Sequence, residues 1–151
     1  LPLAPYRRHL ALLRGVAPPP DAPLVYSLDD VSYARPEEGG LLASPCDEDA
    51  GPPGAPAVDD RALALLCEKL ACYLPAAASA RVAKAWACQR TFAPDRLPAL
   101  GADPRVRGLH WCAGLGGSGV TVGLAAARRV ADALLGGAPI EADLAAARLV
   151  S

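Results

Sequence analysis

The spacing of apolar residues divides the chain into a β-rich first part, a central helix, and a second strand-and-helix segment. Pro5-Tyr6-Arg7-Arg8-His9-Leu10 leads into Leu12-Leu13, and Pro18-Pro19-Pro20 then breaks any regular element, because proline fixes φ and carries no N–H. This leading segment is expected to pair with something outside the chain. Two β-rich runs, Leu24 to Leu28 and Val31 to Arg35, flank Asp29-Asp30. Gly39-Gly40 turns the chain into a third run, Leu41 to Ser44, so the pattern predicts an antiparallel meander. Residues 46–58 are acidic, then rich in Pro and Gly, and read as an exposed loop. Asp59 or Asp60 can cap the helix that follows. Its apolar residues Leu63, Leu66, Cys67, Leu70 and Leu74 recur every three or four positions up to Pro75 and lay one face on the sheet.

Val82 to Phe92 reads as another strand, with Trp86 supplying a large buried surface, and Pro94 and Pro98 force a loop after it. Leu109 to Ala113 predicts a short buried strand, a glycine-rich turn follows, and Val120 to Leu135 predicts a long helix that stops at Gly136-Gly137. The tail, with Ala145-Ala146-Ala147, reads as a short, loosely held helix. No internal repeat is present. The fold class expected is α+β: an antiparallel sheet with one packed helix over residues 1–92, a loop, strand and helix over 93–137, and a tail over 138–151.

A chain of 151 residues with 52% hydrophobic content can bury a real core. Its 15 Lys and Arg nearly cancel 16 Asp and Glu, so no broad field favours nucleic acid or an anionic membrane. No apolar run reaches the about 18 residues of a spanning helix, and no charged segment precedes an apolar one as in a signal peptide. The five Cys, at 46, 67, 72, 88 and 112, are odd in number and form no C-x-x-C pair. That speaks against a disulfide framework and for reduced thiols in a cytoplasmic protein. A zinc site from Cys67, Cys72 and His110 matches no ligand spacing. Two distant His also leave no basis for a metal-dependent hydrolase. Without Met, and starting Leu1-Pro2-Leu3, the chain reads as a processed or cut fragment.

The chemistry concentrates where a strand meets Gly114-Leu115-Gly116-Gly117-Ser118-Gly119 and then a helix. Such a junction gathers unpaired backbone N–H groups and the positive end of a helix dipole, which suits an electron-rich group. The same glycines also suit a merely tight turn. The spacing is not the dinucleotide G-x-G-x-x-G, and no βαβ unit follows.

Trp86-Ala87-Cys88-Gln89-Arg90, Pro94-Asp95-Arg96-Leu97-Pro98, Leu100-Gly101, Gly108-Leu109 and the glycine-rich turn follow one another in an order that resembles the D-amino-acid oxidase, glycine oxidase and sarcosine oxidase family. Tyr33-Ala34-Arg35-Pro36 with Gly40-Leu41-Leu42 extends the resemblance over most of residues 24–137. The resemblance implies FAD as cofactor, a substrate-domain sheet in the first part of the chain, and a terminal strand, turn and helix that complete the FAD domain. By position it places Gly114, Leu115, Gly116, Gly117, Ser118, Gly119, Val120 and Thr121 beside the pyrimidine end of the flavin. There, fixed N–H donors stabilise the charge of the reduced ring.

It further implies Arg90 as partner of a substrate carboxylate and Tyr33 as an active-site tyrosine. Cys88 falls at the covalent flavin position of the sarcosine oxidase branch. The plain alternatives are an Arg90–Asp95 salt bridge, a buried strand tyrosine and a free buried thiol. Ser118 and Thr121 stand where the sarcosine oxidase branch has a histidine and a lysine, and Gly117 where glycine oxidase has an arginine, so the amine is left open. His110, next to Trp111, reads as packed or at a rim. The activity implied is oxidation of a small amine or amino acid by hydride transfer to FAD, with an imine as product and no nucleic acid as partner. It requires a missing N-terminal FAD-binding half, without which the chain is expected neither to hold FAD tightly nor to turn over; a homo-oligomer is left open. The alternative from another class is a non-catalytic binding module that kept this half of the fold without flavin.

Overall fold

In the computed structural model the leading segment is a long strand, β1 (Ala4–Arg14), whose partners lie within the chain. The structure describes residues 1–19 and 21–150; Pro20, the last of the three strand-breaking prolines, lies outside them, as does Ser151. Residues 7–49 and 53–89 form one compact unit, and residues 1–6, 50–52 and 90–150 belong to another.

In the first unit β2 (Val25–Ser27), β3 (Ser32–Glu37) and β4 (Gly40–Ser44) make the expected antiparallel meander. Residues Ala11, Leu12 and Leu13 of β1 pair antiparallel with Ala43, Leu42 and Leu41. The sheet runs β2-β3-β4-β1-β5, with β5 at Asp49–Ala50, and β6 (Arg81–Phe92) also pairs with β1. The leading segment therefore did not need a partner outside the chain. Its alternation of buried His9, Ala11 and Leu13 with half-buried residues matches the alternation of β4.

Helix α1 (Asp60–Tyr73) is capped by Asp59, whose Oδ1 accepts from the Arg61 N–H at 2.9 Å, and it ends before Pro75. Leu66 and Leu70 pack with Ala11, Leu13, Ala34, Leu41 and Ala43, while Leu63 and Leu74 flank this core. Cys67 points off that stripe and is exposed, contrary to the expected pattern. Residues 46–58 are not uniformly exposed either: Cys46 is buried and β5 is a short strand within the segment. Trp86 is only half-buried, with the Lys84 ammonium 6.0 Å from its ring centre. One sheet face thus carries the apolar core under α1. Tyr33, Leu12 and Leu42 belong to the opposite face and are half-buried.

A polar network is buried in this unit. His9 is fully buried, its Nδ1 lies 2.7 Å from Asp47 Oδ2, and the Asp59 N–H donates to its Nε2 at 2.9 Å. Since Nε2 accepts, the imidazole is the neutral Nδ1–H form donating to Asp47. The His9 N–H donates to Asp47 Oδ1 at 2.8 Å, and Ser44 Oγ donates to the His9 carbonyl at 2.7 Å. One side chain therefore ties β1 to the loop after β4 and to the cap of α1.

In the second unit β7 (Ala99–Ala102) pairs antiparallel with β8 (His110–Ala113), from Ala99 opposite Ala113 to Ala102 opposite His110. The sequence did not announce β7, and β8 is half-exposed rather than buried because only two strands make this sheet. The Asp103 carboxylate stitches the hairpin, accepting from the Arg105 guanidinium at 3.0 Å and the Trp111 indole N–H at 3.0 Å. Those bonds, the Arg105 contact first, hold its pKa well below the usual carboxylate range. Helix α2 (Gly119–Leu134) buries Ala126 and Val130 with Leu100, while Val120, Leu124 and Leu135 project into solvent around it and beyond its end.

The tail is firmly held rather than loose. The Leu100 N–H donates to the Leu144 carbonyl at 2.9 Å, Ala146 is fully buried, and Arg148 donates from Nε and Nη2 to Asp95 at 2.7 and 2.9 Å. Those bonds from Arg148 hold the Asp95 pKa down at about 2. A carboxylate whose pKa is lowered by folding adds stability that is full above its unfolded value of about 3.9 and is lost as pH falls through the folded value. Asp95→Asn should therefore lower the melting temperature at neutral pH, and the gap to the parent should close as pH falls from about 4 towards 2. A gap that stays constant in a pH series of thermal melts would contradict this role.

Candidate functional site

The glycine-rich turn is built by local backbone geometry. Gly116 and Gly117 have φ of 57° and 92°, a region that L side chains rarely adopt. The Gly116 N–H donates to the Thr91 carbonyl at 3.0 Å, fastening the turn to the end of β6. Ser118 N–H donates to Leu115 O, and the Thr121 and Val122 N–H groups donate to Ser118 O, each at 2.9 Å. Among the described residues, the N–H groups of Gly117, Gly119 and Val120 have no partner, and Ser118 makes no side-chain cap. Three free donors thus meet the positive end of a 16-residue helix, a setting that favours electron-rich atoms.

Arg90 lies across this turn. A Cβ added to Gly117 would fall 2.6 Å from Arg90 Cδ and 2.7 Å from its Nε, so the absent side chain makes room for the arginine. Arg90 is half-buried and, among the described residues, makes no ion pair or side-chain hydrogen bond. The alternative of an Arg90–Asp95 bridge is overturned, because Asp95 is occupied by Arg148. Beside it, Phe92 stands edge-on to Tyr6 with ring centres 5.5 Å apart, and the Arg96 guanidinium sits 4.4 Å over the Phe92 ring. Gly116 abuts that same ring. Gly116→Ala combines a left-handed φ with a collision against a buried ring, so it should cost about 2 kcal/mol of unfolding free energy. An unchanged midpoint in denaturant unfolding would show that the turn yields freely.

The structure thus brings Arg90 and the 114–121 turn together in one unit, whereas Tyr33 and Cys88 belong to the other. Tyr33 is half-buried on β3 and opposite Tyr26 of β2; their ring centres are 6.3 Å apart and the planes differ by 13°. Burial pushes the Tyr26 phenol up, the neighbouring Cys46 adds to this, and Arg8 opposes it. Cys88 is a half-buried free thiol, and all five cysteines are free. His110 is half-buried, with Nδ1 only 3.4 Å from the Gly108 carbonyl, too long for a strong bond. Among the described residues no group of three His, Cys, Asp or Glu could hold a metal, and no helix is long and apolar enough to cross a membrane.

Comparison with known proteins extends this picture. The model of the DAO family, described as FAD dependent oxidoreductase, matches residues 1–133. Glycine oxidase from Geobacillus kaustophilus superposes with a TM-score of 0.79 at 24% identity, over 100% of this chain and 40% of its own. L-proline dehydrogenase from P. horikoshii superposes with a TM-score of 0.81 at 20% identity, over 97% and 40%. At those identities the likeness shows the fold alone. The tRNA 5-methylaminomethyl-2-thiouridine biosynthesis bifunctional protein of Verminephrobacter eiseniae (strain EF01-2) is 43% identical over 74 residues, 47% of this chain and 12% of that protein. The chain spans well under half the length of each.

Proposed function

Because residues 1–133 match its model, the chain belongs to the DAO family of FAD-dependent oxidoreductases, and from that premise we propose that it is the C-terminal part of an enzyme that oxidises an amine or amino acid. The observation that carries this reading is Arg90, half-buried, unpaired among the described residues, and lying against a turn with three free N–H donors. The 114–121 turn would hold FAD by its electron-rich edge, and the cofactor would supply the acceptor for a hydride from the carbon beside the amine.

The chain's own residues do the positioning. The 114–121 turn fits the group: Gly117, Gly119 and Val120 offer N–H donors, and glycine at 116 and 117 lets the turn pack closely on Phe92 and Arg90. Fixed donors of this kind stabilise negative charge where it develops, without reorganising. Arg90 offers a planar guanidinium that can hold a carboxylate through two parallel bonds and so orient the neighbouring C–H. In this reading Tyr33 is a substrate contact and Cys88 a flavin contact. The apolar side chains of Val120, Leu124 and Leu135 are a surface for the remaining, FAD-binding half to cover.

A second reading of the substrate is favoured by the 43% identity to a tRNA-modifying protein: the amine is carried on a nucleoside rather than free. The test is the visible spectrum of the full-length product purified from cells, repeated with D- and L-amino acids, N-methyl amines and tRNA. Flavin bands that bleach with one class name the substrate class. Absence of flavin after FAD is added leaves a binding module instead.

A further inference from the structure

We propose that Arg96 is a positioning residue for the glycine-rich turn: its guanidinium holds the Phe92 ring against Gly116 and so fixes where the free N–H donors of the turn point. The proposal rests on the reading of that turn as the flavin-facing element. Arg96 has a φ of 63°, a left-handed backbone that strains an arginine and that glycine would adopt without cost. The bend is imposed from both sides. The Arg96 N–H donates to the Ala93 carbonyl at 2.9 Å, and Asp95 Oδ1 accepts from the Leu97 N–H at 3.0 Å. Arg148 holds both the Asp95 carboxylate and, from Nη2 at 2.9 Å, the Leu97 carbonyl. A strained residue persists where its neighbours over-determine it, and such residues gather at functional sites.

What the bend delivers is the guanidinium. Arg96 is exposed, yet its guanidinium carbon sits 4.4 Å from the ring centre of buried Phe92 and 5.4 Å from that of Tyr6. One planar cation therefore lies over both rings of the pair. Gly116 rests on the same Phe92 ring, where an added Cβ would collide with Cε1 and Cδ1. The Gly116 N–H is bonded to the carbonyl of Thr91, the residue before Phe92, so ring and turn are tied at two points. The free donors begin one residue on, at Gly117, and continue at Gly119 and Val120. A ring allowed to tilt carries Gly116 with it and misdirects the first of them. The contacts thus run from Arg96 through Phe92 to the backbone that faces the ligand, all within one compact unit.

The test uses the full-length protein with Arg96→Gly and Arg96→Lys, and compares thermal melting, hydrogen exchange and FAD binding. Arg96→Gly relieves the backbone while removing the guanidinium, so its melting temperature should stay close to that of the parent. Exchange of the Gly116 and Ser118 amides, both hydrogen-bonded, should nonetheless speed by about fivefold in the FAD-free protein, while exchange in the β7–β8 hairpin holds. The dissociation constant for FAD, read from the visible spectrum, should rise by about the same factor. Arg96→Lys keeps a cation for the ring and should restore most of the protection. Unchanged exchange in the turn overturns the proposal, and so does an Arg96→Lys variant no better than Arg96→Gly. A fall in melting temperature with exchange speeding equally in turn and hairpin also overturns it, by making Arg96 a general support. If the exchange result holds but the protein takes up no FAD, the flavin reading fails and the clamp on the turn stands.

Discussion

Replacing Arg90 by alanine in the full-length enzyme is expected to lower kcat/KM for a carboxylate-bearing amine by on the order of a hundredfold or more, as removing one member of a desolvated charge pair does. The effect should fall mainly on binding and orientation, because Arg90 is half-buried, packs on Gly117 and has no competing protein carboxylate among the described residues. Arg90→Lys should recover only part of the loss, since an ammonium is a point charge that cannot make two parallel bonds to a carboxylate. Amines without a carboxylate should be indifferent to either change. Single-turnover reduction followed by absorbance, with paired substrates differing only in the carboxylate, reads this directly. A uniform loss for both substrates would instead assign Arg90 to holding the turn in shape.

The largest effect on stability is expected at His9. His9→Ala leaves the Asp47 carboxylate and the Asp59 N–H without their imidazole partner in a site where His9 is fully buried, and should cost about 3 kcal/mol or more. His9→Phe, which fills the space but offers no hydrogen bonds, should not restore stability. His9→Asn offers both a donor and an acceptor and should restore part of it. Denaturant unfolding of the three variants distinguishes polar pairing from packing: equal midpoints for Phe and the parent would mean that the network contributes only volume.

What the sequence made legible depended on how local each cause is. Helix α1 carries its own start and stop, Asp59 as cap and Pro75 as break, so its limits could be read directly. The meander was equally plain because each turn lies between its strands. The glycine-rich turn declared itself for the same reason. Strand β7 did not, because Leu100-Gly101 is a short apolar run between prolines and becomes a strand only by pairing with β8. The pairing of β1 with β4 and the packing of the tail are likewise decided by residues far apart in the chain. The same holds for Asp95: Arg90 is near in sequence, but Arg148 reaches it in space. His9 escaped notice because its partners, Asp47 and Asp59, sit 38 and 50 residues away.

The unit that carries Arg90 and the turn is assembled from segments 1–6, 50–52 and 90–150, with Tyr6 closing on Phe92 and Arg148 closing on Asp95. In the time order of synthesis this has a cost. The other unit ends at residue 89 and its sheet is complete with β6 at residue 92, so it can condense while the ribosome is still adding residues. The second unit has to wait for Arg148, and until then Leu100, Ala126 and Val130 have no finished layer to bury them. The unit that carries Arg90 and the turn is therefore the last part of the chain to complete its core.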